Sequence, residues 1–250
     1  MSSPNKRLRI MAGPNGSGKS TILQEVRKRF YSGPFVNADD IEKILKEKKV
    51  LNLPALYDLT VTEASFQSYL NGEGQSWLAK AQQENTAVNL HFTDGMLLVN
   101  NETSPYDAAM AADFIRLNLL EKGETFTFET VMSHPSKVDL LRQSKAAGFK
   151  NYLYFICTAD PEINISRVHQ RVQLGGHAVP DSKIIKRYHE SLQVLPAIIP
   201  LCYRVFLFDN STEERSIEPV AEIDSNKRFI ARAELIPWWV EEFVINKFYK

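Results

Sequence analysis

The sequence predicts a three-layer α/β/α fold on a mainly parallel five-stranded sheet, and three observations carry that expectation. Short β-like runs recur at 7–12, 35–38, 125–130, 151–158 and 203–209 with helix-like stretches between them. Such alternation marks a parallel sheet wrapped by helices. A glycine-rich bend, GPNGSGKS at 13–20, joins the first strand directly to the first helix. With 250 residues, 44% of them hydrophobic and 24% charged, the chain can fill one core and still carry insertions.

The helices are expected at 19–30, 39–48, 106–122, 136–147, 160–173 and 181–195. Pro135, Pro161 and Pro180 stand near the starts of three of them, where a missing N–H costs nothing. Residues 49–105 break the rhythm. They are polar and rich in Asn and Gln, with NGEG at 71–74 between two helix-like pieces, and they read as a helical insertion. Beyond 211, a C-terminal extension over 212–250 reads as a β-hairpin about DSNK at 224–227, followed by an amphipathic helix through IPWWVEEFVINKFY. A single domain over 1–250 is the expected organisation.

Lys+Arg and Asp+Glu balance at 30 each, so composition argues for neither a nucleic-acid nor a membrane partner. No apolar run is long enough to span a bilayer, and MSSPNKRLRI lacks the apolar core of a signal peptide. The expected location is cytoplasmic. Cys157 and Cys202 lie in or beside apolar strand-like runs without clustered His or Cys, and read as buried thiols.

Gly13 to Ser20 match the complete G-x-x-x-x-G-K-[ST] phosphate loop, or Walker A motif, between a strand and a helix. Its glycines let successive N–H groups curl around phosphate oxygens, and the following helix directs its positive dipole end at them. The expected contacts to ATP are Gly13, Asn15, Gly16, Ser17, Gly18, Lys19, Ser20 and Thr21. Lys19 would reach the β/γ-phosphates and Ser20 would offer its hydroxyl to Mg²⁺. The loop fixes the fold as a P-loop NTPase, with expected strand order 2-3-1-4-5, but leaves its chemistry open.

The other strand ends narrow that chemistry. VNADD places Asp39 and Asp40 after the second strand, where open α/β sheets bind ligands; the alternative is that both acids merely open the next helix. The third strand closes on Glu129 and Thr130, a carboxylate suited to hold Mg²⁺ through water or a substrate hydroxyl. His134 precedes Pro135 as a helix-capping pair would. Arg167 and Arg171 share a helical face before LGGHAVP at 174–180, and Arg187 follows on the next helix. Cations bracketing a glycine turn suit a lid over transferring phosphate, with His177 either on phosphate or capping the lid. FDNS at 208–211 ends the last strand, where Asn210 either touches the adenine base or makes a turn.

This ordered set resembles the zeta toxin family of P-loop kinases: the loop at 13–20, VNADD, the ET at 129–130, RVHQRVQLGGHAVP, RYHESL and FDNS, over about 10–45 and 110–211. The resemblance implies a kinase in which Asp39 is the base that deprotonates the 3′-hydroxyl of UDP-N-acetylglucosamine for attack on the ATP γ-phosphate. It assigns acceptor binding to Asp113 together with Asp39, Glu129 and Thr130, and the lid cation to Arg171, with Arg167 or Arg187 second. It also brings an antitoxin protein as a candidate partner. The chain departs from the family in ETVMSH, which lacks the glycine and arginine found after that glutamate, and its GGHAVP lid belongs to a broad branch of zeta-like ATPases. Two readings result: a Mg²⁺- and ATP-dependent small-molecule kinase with catalytic Asp39, Lys19, Glu129 and Arg171, or a nucleotide switch whose bound state regulates a partner.

Overall fold

The apolar runs form the strands they predict. In the computed structural model, which describes residues 6–134, 136–212 and 219–249, the first run is β1 (Arg7–Ala12), buried from its second residue onward. The chain divides into two compact units, one of residues 33–128 and one of the remainder.

In the larger unit β1 pairs in parallel with β7 (Lys150–Cys157), and β7 with β8 (Arg204–Asp209). Two further strands extend the sheet antiparallel, β9 (Ala221–Ile223) on β8 and β10 (Phe229–Ala231) on β9. The expected neighbours 1-4-5 are therefore present, and the hairpin of the extension adds two strands beyond them. That hairpin turns where DSNK predicted it. Asp224 accepts from the N–H groups of Asn226 and Arg228, and Lys227 adopts φ 65°.

The helices of this unit are α1 (Lys19–Arg29), α7 (Ser136–Ala146), α8 (Pro161–Gln173) and α9 (Asp181–Ile198). Pro161 opens α8 behind the cap Asp160, whose carboxylate accepts from Glu162 N–H at 2.8 Å, and Pro180 directly precedes α9. Pro135 lies outside the described residues. His134 does cap: its Nδ1 accepts from Ser136 N–H at 3.2 Å. The chain closes on α10 (Trp238–Val240), a π-helical turn (Glu241–Ile245) and α11 (Asn246–Phe248). Trp239 is fully buried 5.7 Å from the Phe155 ring, and its indole N–H donates to Asp209 at 2.8 Å.

In the smaller unit β2 (Phe35–Val36) pairs in parallel with β6 (Phe126–Thr130), the expected 2-3 neighbours. Its helices α2 (Ala38–Lys48) and α6 (Pro105–Lys122) match the sequence reading, α6 opening on a Ser104–Asp107 capping box.

The segment 49–105 corrects the helical expectation. It does contain α3 (Leu53–Tyr57), α4 (Glu63–Asn71) and α5 (Gln75–Gln83), the last two split at NGEG. It also builds a second sheet, with β5 (Met96–Val99) antiparallel to both β3 (Val50–Asn52) and β4 (Leu90–Thr93). The signal lay in LHFT-DG-MLLV: Asp94 (φ 48°) and Gly95 (φ 78°) form the two-residue turn that an Asp-Gly pair favours between strands. Phe66, Tyr69, Phe92 and Phe114 interlock as this unit's aromatic core. Among the described residues no helix is long and apolar enough to cross a membrane.

Both cysteines are buried and free. Burial pushes each thiol up to about 12, so a folded chain at about pH 8 holds them protonated and unreactive. A thiol-reactive chromogen should therefore leave the native protein unlabelled and titrate both cysteines once guanidinium unfolds it. Rapid labelling of the native chain would contradict the burial.

Candidate nucleotide-binding site

The loop between β1 and α1 has the shape its sequence promised. Gly13 takes φ 139°, and a Cβ there would lie 1.9 Å from the Ile156 carbonyl oxygen on β7, so only glycine passes this strand. Gly18 takes φ 95°, and a Cβ there would meet the Asn210 amide at 2.4 Å. α1 then starts with no side-chain cap; Thr21 N–H donates to the Gly18 carbonyl at 3.1 Å, and the N–H groups of Lys19 and Ser20 at the helix start face no side-chain cap.

The outward side of the loop is tied down. Asn164 on α8, fully buried, donates to the Asn15 carbonyl at 2.6 Å. Asn210, just past β8, donates to the Ser17 carbonyl at 2.8 Å. Carbonyls held outward turn peptide N–H groups inward, and that is the nest an anion requires. Arg167 in turn holds the carbonyls of Asn210 (2.7 Å) and Thr212 (3.3 Å). The Ser17 hydroxyl is buried in the loop without a hydrogen-bond partner.

Lys19 is only 7% exposed. Its ammonium donates to the carbonyls of Gly13 (3.0 Å) and Pro14 (2.9 Å) and lies 3.8 Å from the Glu129 carboxylate. A cation folded back on its own loop is one that an incoming phosphate can recruit. Glu129 and Thr130 end β6, and the Thr130 hydroxyl oxygen accepts from Met132 N–H at 3.0 Å. Met132 is buried at φ 58°, a left-handed conformation that costs a non-glycine residue about 1 kcal/mol or more. It turns the chain sharply away just beyond the carboxylate.

The residues present fit a nucleoside triphosphate: an uncapped helix start, an inward nest and a buried ammonium converge. For a divalent ion they offer less. Among the described residues no group of three or more His, Cys, Asp or Glu could hold a metal. The exposed hydroxyl of Ser20 is the loop's own candidate ligand, so phosphate oxygens and water would complete the shell.

The arginines about the 174–180 turn differ in what they touch. Arg171 is exposed and donates to the His177 carbonyl at 3.0 Å, within the 174–180 turn itself. Arg187, half-buried on α9, reaches the Asn15 side chain at 3.4 Å and so stands beside the loop. His169 and Asp181 meet at 2.8 Å across the base of the turn.

In the smaller unit the sequence reading needs adjustment. β2 ends at Val36, and Asp39 and Asp40 lie in the first turn of α2, both exposed. The helix is capped by neither. Asn37 is the cap, accepting from Asp39 N–H at 2.8 Å. Asp113 on α6 pairs with Arg116 at 2.9 Å and accepts from the Trp77 indole (3.2 Å) and the Tyr69 hydroxyl (3.4 Å). Burial, then the Asp113 charge, pushes the Tyr69 hydroxyl up. Sequence reasoning missed Asn164 and Asn37. Asn37 was legible as a preferred cap type before an acidic first turn, whereas Asn164 had no signal beyond a polar residue on an apolar helix face.

No family model matches the chain. It is 26% identical over 130 residues to an uncharacterized protein of Haemophilus influenzae, an alignment covering 50% of this chain and 92% of that protein. Among solved structures it is similar to a chain of the PezAT chromosomal toxin-antitoxin system of Streptococcus pneumoniae, with TM-score 0.51 and 12% identity over 100% of this chain and 82% of that one. It is also similar to a chain of the AvrRxo1-ORF1:AvrRxo1-ORF2 complex, with TM-score 0.50 and 15% identity, covering 91% of this chain but only 61% of that one. At these identities the likeness concerns the fold alone, the α/β arrangement with a phosphate loop between β1 and α1 that the motifs led us to expect.

Proposed function

We propose that the protein is an ATP-dependent phosphotransferase that moves the γ-phosphate of ATP to a hydroxyl of a small acceptor. The observation that carries this reading is the Lys19 ammonium, buried between its own loop carbonyls and the Glu129 carboxylate at the mouth of an uncapped helix. In the proposed step the acceptor oxygen bonds to the γ-phosphorus, the bond from that phosphorus to the β–γ bridging oxygen breaks, and ADP leaves. Asp39 takes the acceptor proton, while Lys19, Arg171 and Arg187 steady the charge on the moving phosphoryl group. Ser20 would hold Mg²⁺, which neutralises phosphate charge when bound.

The motif set quoted above supports UDP-N-acetylglucosamine as the first acceptor to test, with Asp113, Glu129 and Thr130 on the acceptor side. Because Asp113 already engages Arg116, Trp77 and Tyr69, it would act as part of that network. A protein antitoxin is the partner proposed with this reading, supported by the toxin-antitoxin system among the structural neighbours.

Lys19→Ala should weaken ATP binding about 10- to 100-fold, the worth of charge-assisted hydrogen bonds, while circular dichroism stays native. Equal affinity by calorimetry would remove Lys19 from the mechanism. Arg171→Ala and Arg187→Ala should each lower kcat by about 10³-fold with a smaller change in ATP affinity. A variant that loses affinity and keeps kcat would mark its arginine as a ground-state contact.

Asp39→Asn should leave ATP affinity intact and lower transfer from labelled ATP to UDP-N-acetylglucosamine or another panel metabolite by about 10²-fold. Asp40→Asn should leave transfer near wild type. Reversal of the two outcomes moves the base by one residue; ATP turnover with no labelled acceptor from any metabolite favours the nucleotide switch.

A further inference from the structure

One peptide of the phosphate loop is oriented by a chain of buried polar groups that begins away from the ligand. In a trans peptide the C=O and the following N–H point opposite ways, so a hold on the Asn15 carbonyl from outside aims the Gly16 N–H into the loop. The group that holds it is the Asn164 carboxamide, whose Nδ2 donates to that carbonyl at 2.6 Å. The approach excludes any side chain: Gly16 takes φ 74°, and a Cβ there would lie 2.6 Å from the Asn164 carbonyl oxygen on α8.

A carboxamide has two ends of similar shape, and only one of them can make this bond. Turned over, Asn164 would set its oxygen against the Asn15 oxygen, acceptor facing acceptor. Its Oδ1 accepts instead from the hydroxyl of Thr158, the residue just past β7. That hydroxyl has one proton and a second oxygen in range. The second oxygen, the Asp160 carbonyl at 3.1 Å, accepts from Ile163 N–H at 3.3 Å, which leaves the proton to Asn164. Thr158 and Asn164 are both fully buried, where a made hydrogen bond counts most and a missing one costs most. Tyr188 of α9, also fully buried, donates its hydroxyl to the Thr158 carbonyl at 2.7 Å and so binds the backbone of this residue rather than the carboxamide.

We propose that Thr158 is a positioning residue for phosphate binding: its hydroxyl fixes which end of the Asn164 carboxamide faces the loop, and so keeps the Gly16 N–H turned toward the phosphates of a bound nucleotide. The inference rests on the nucleotide site of the proposed function and is independent of the acceptor. Without the hydroxyl, Oδ1 is left buried and unpaired, and the carboxamide loses its preference for one orientation. The Asn15–Gly16 peptide is then free to turn its oxygen, rather than its N–H, toward the phosphates.

The test measures ATP affinity by calorimetry and the Gly16 amide resonance of the full chain carrying isotopically labelled glycine. Thr158→Val is nearly isosteric and Thr158→Ala is smaller; both remove the hydroxyl and should bind ATP about ten-fold more weakly. Thr158→Ser keeps the hydroxyl and should bind as the wild type does. Saturating ATP should shift the Gly16 resonance in the wild type and in Thr158→Ser, and shift it less in Thr158→Val. Tyr188→Phe removes a neighbouring buried hydroxyl without touching the carboxamide, so it should lower the thermal midpoint and leave ATP affinity unchanged. The proposal is overturned if natively folded Thr158→Val and Thr158→Ala bind ATP as tightly as the wild type, if Thr158→Ser fails to restore affinity, if Tyr188→Phe weakens binding equally, or if bound ATP leaves Gly16 unmoved. Those results would leave ATP binding standing, whereas a wild type that binds no ATP overturns the nucleotide site itself and the role of Thr158 with it.

Discussion

A phosphate loop must turn peptide N–H groups toward a ligand while its carbonyls find partners elsewhere. Several features of the loop answer that constraint. Asn164 and Asn210 take two outward carbonyls, one from a helix and one from a strand end. The Gly13 and Gly18 positions let the loop press against Ile156 and Asn210 where any side chain would collide. Lys19 takes the carbonyls of Gly13 and Pro14. A buried ammonium without such partners would shift toward its neutral form and lose its use as a phosphate ligand.

The same logic separates holding from reacting. Arg167 spends its guanidinium on the carbonyls of Asn210 and Thr212, so it belongs to the framework behind the loop. Arg187 reaches the Asn15 side chain from the next helix, and among the described residues Arg171 is bound only to the turn it precedes. Two arginines one helical turn apart thus have different work, set by what their tips can reach rather than by the face they share.

That distinction marks what the sequence could and could not reveal. The strand–helix alternation, the loop at 13–20 and the helix starts near Pro161 and Pro180 were legible because local patterns determine them. The sheet inside 49–105 was hidden by Asn- and Gln-rich surroundings, although Asp94-Gly95 announced its turn. Asn37 is the cap of α2, and the two acids that the sequence placed at its opening stand in the first turn. The hydrogen-bond partners of Arg167 and Asn210 could not be read, because they are distant backbone atoms: Asn210 meets Ser17 across 193 positions of chain.

The C-terminal segment illustrates how such long connections work. Trp239 holds Asp209 through its indole, Asp209 accepts from the Ser211 N–H at 3.0 Å, and the intervening Asn210 holds the Ser17 carbonyl. The last helical turns and the phosphate loop are therefore three links apart. A change that loosens the tryptophan would be felt as a softer anion nest, with no residue near the ligand altered. The tail is in that sense a second anchor for the framework that holds the loop's outward carbonyl.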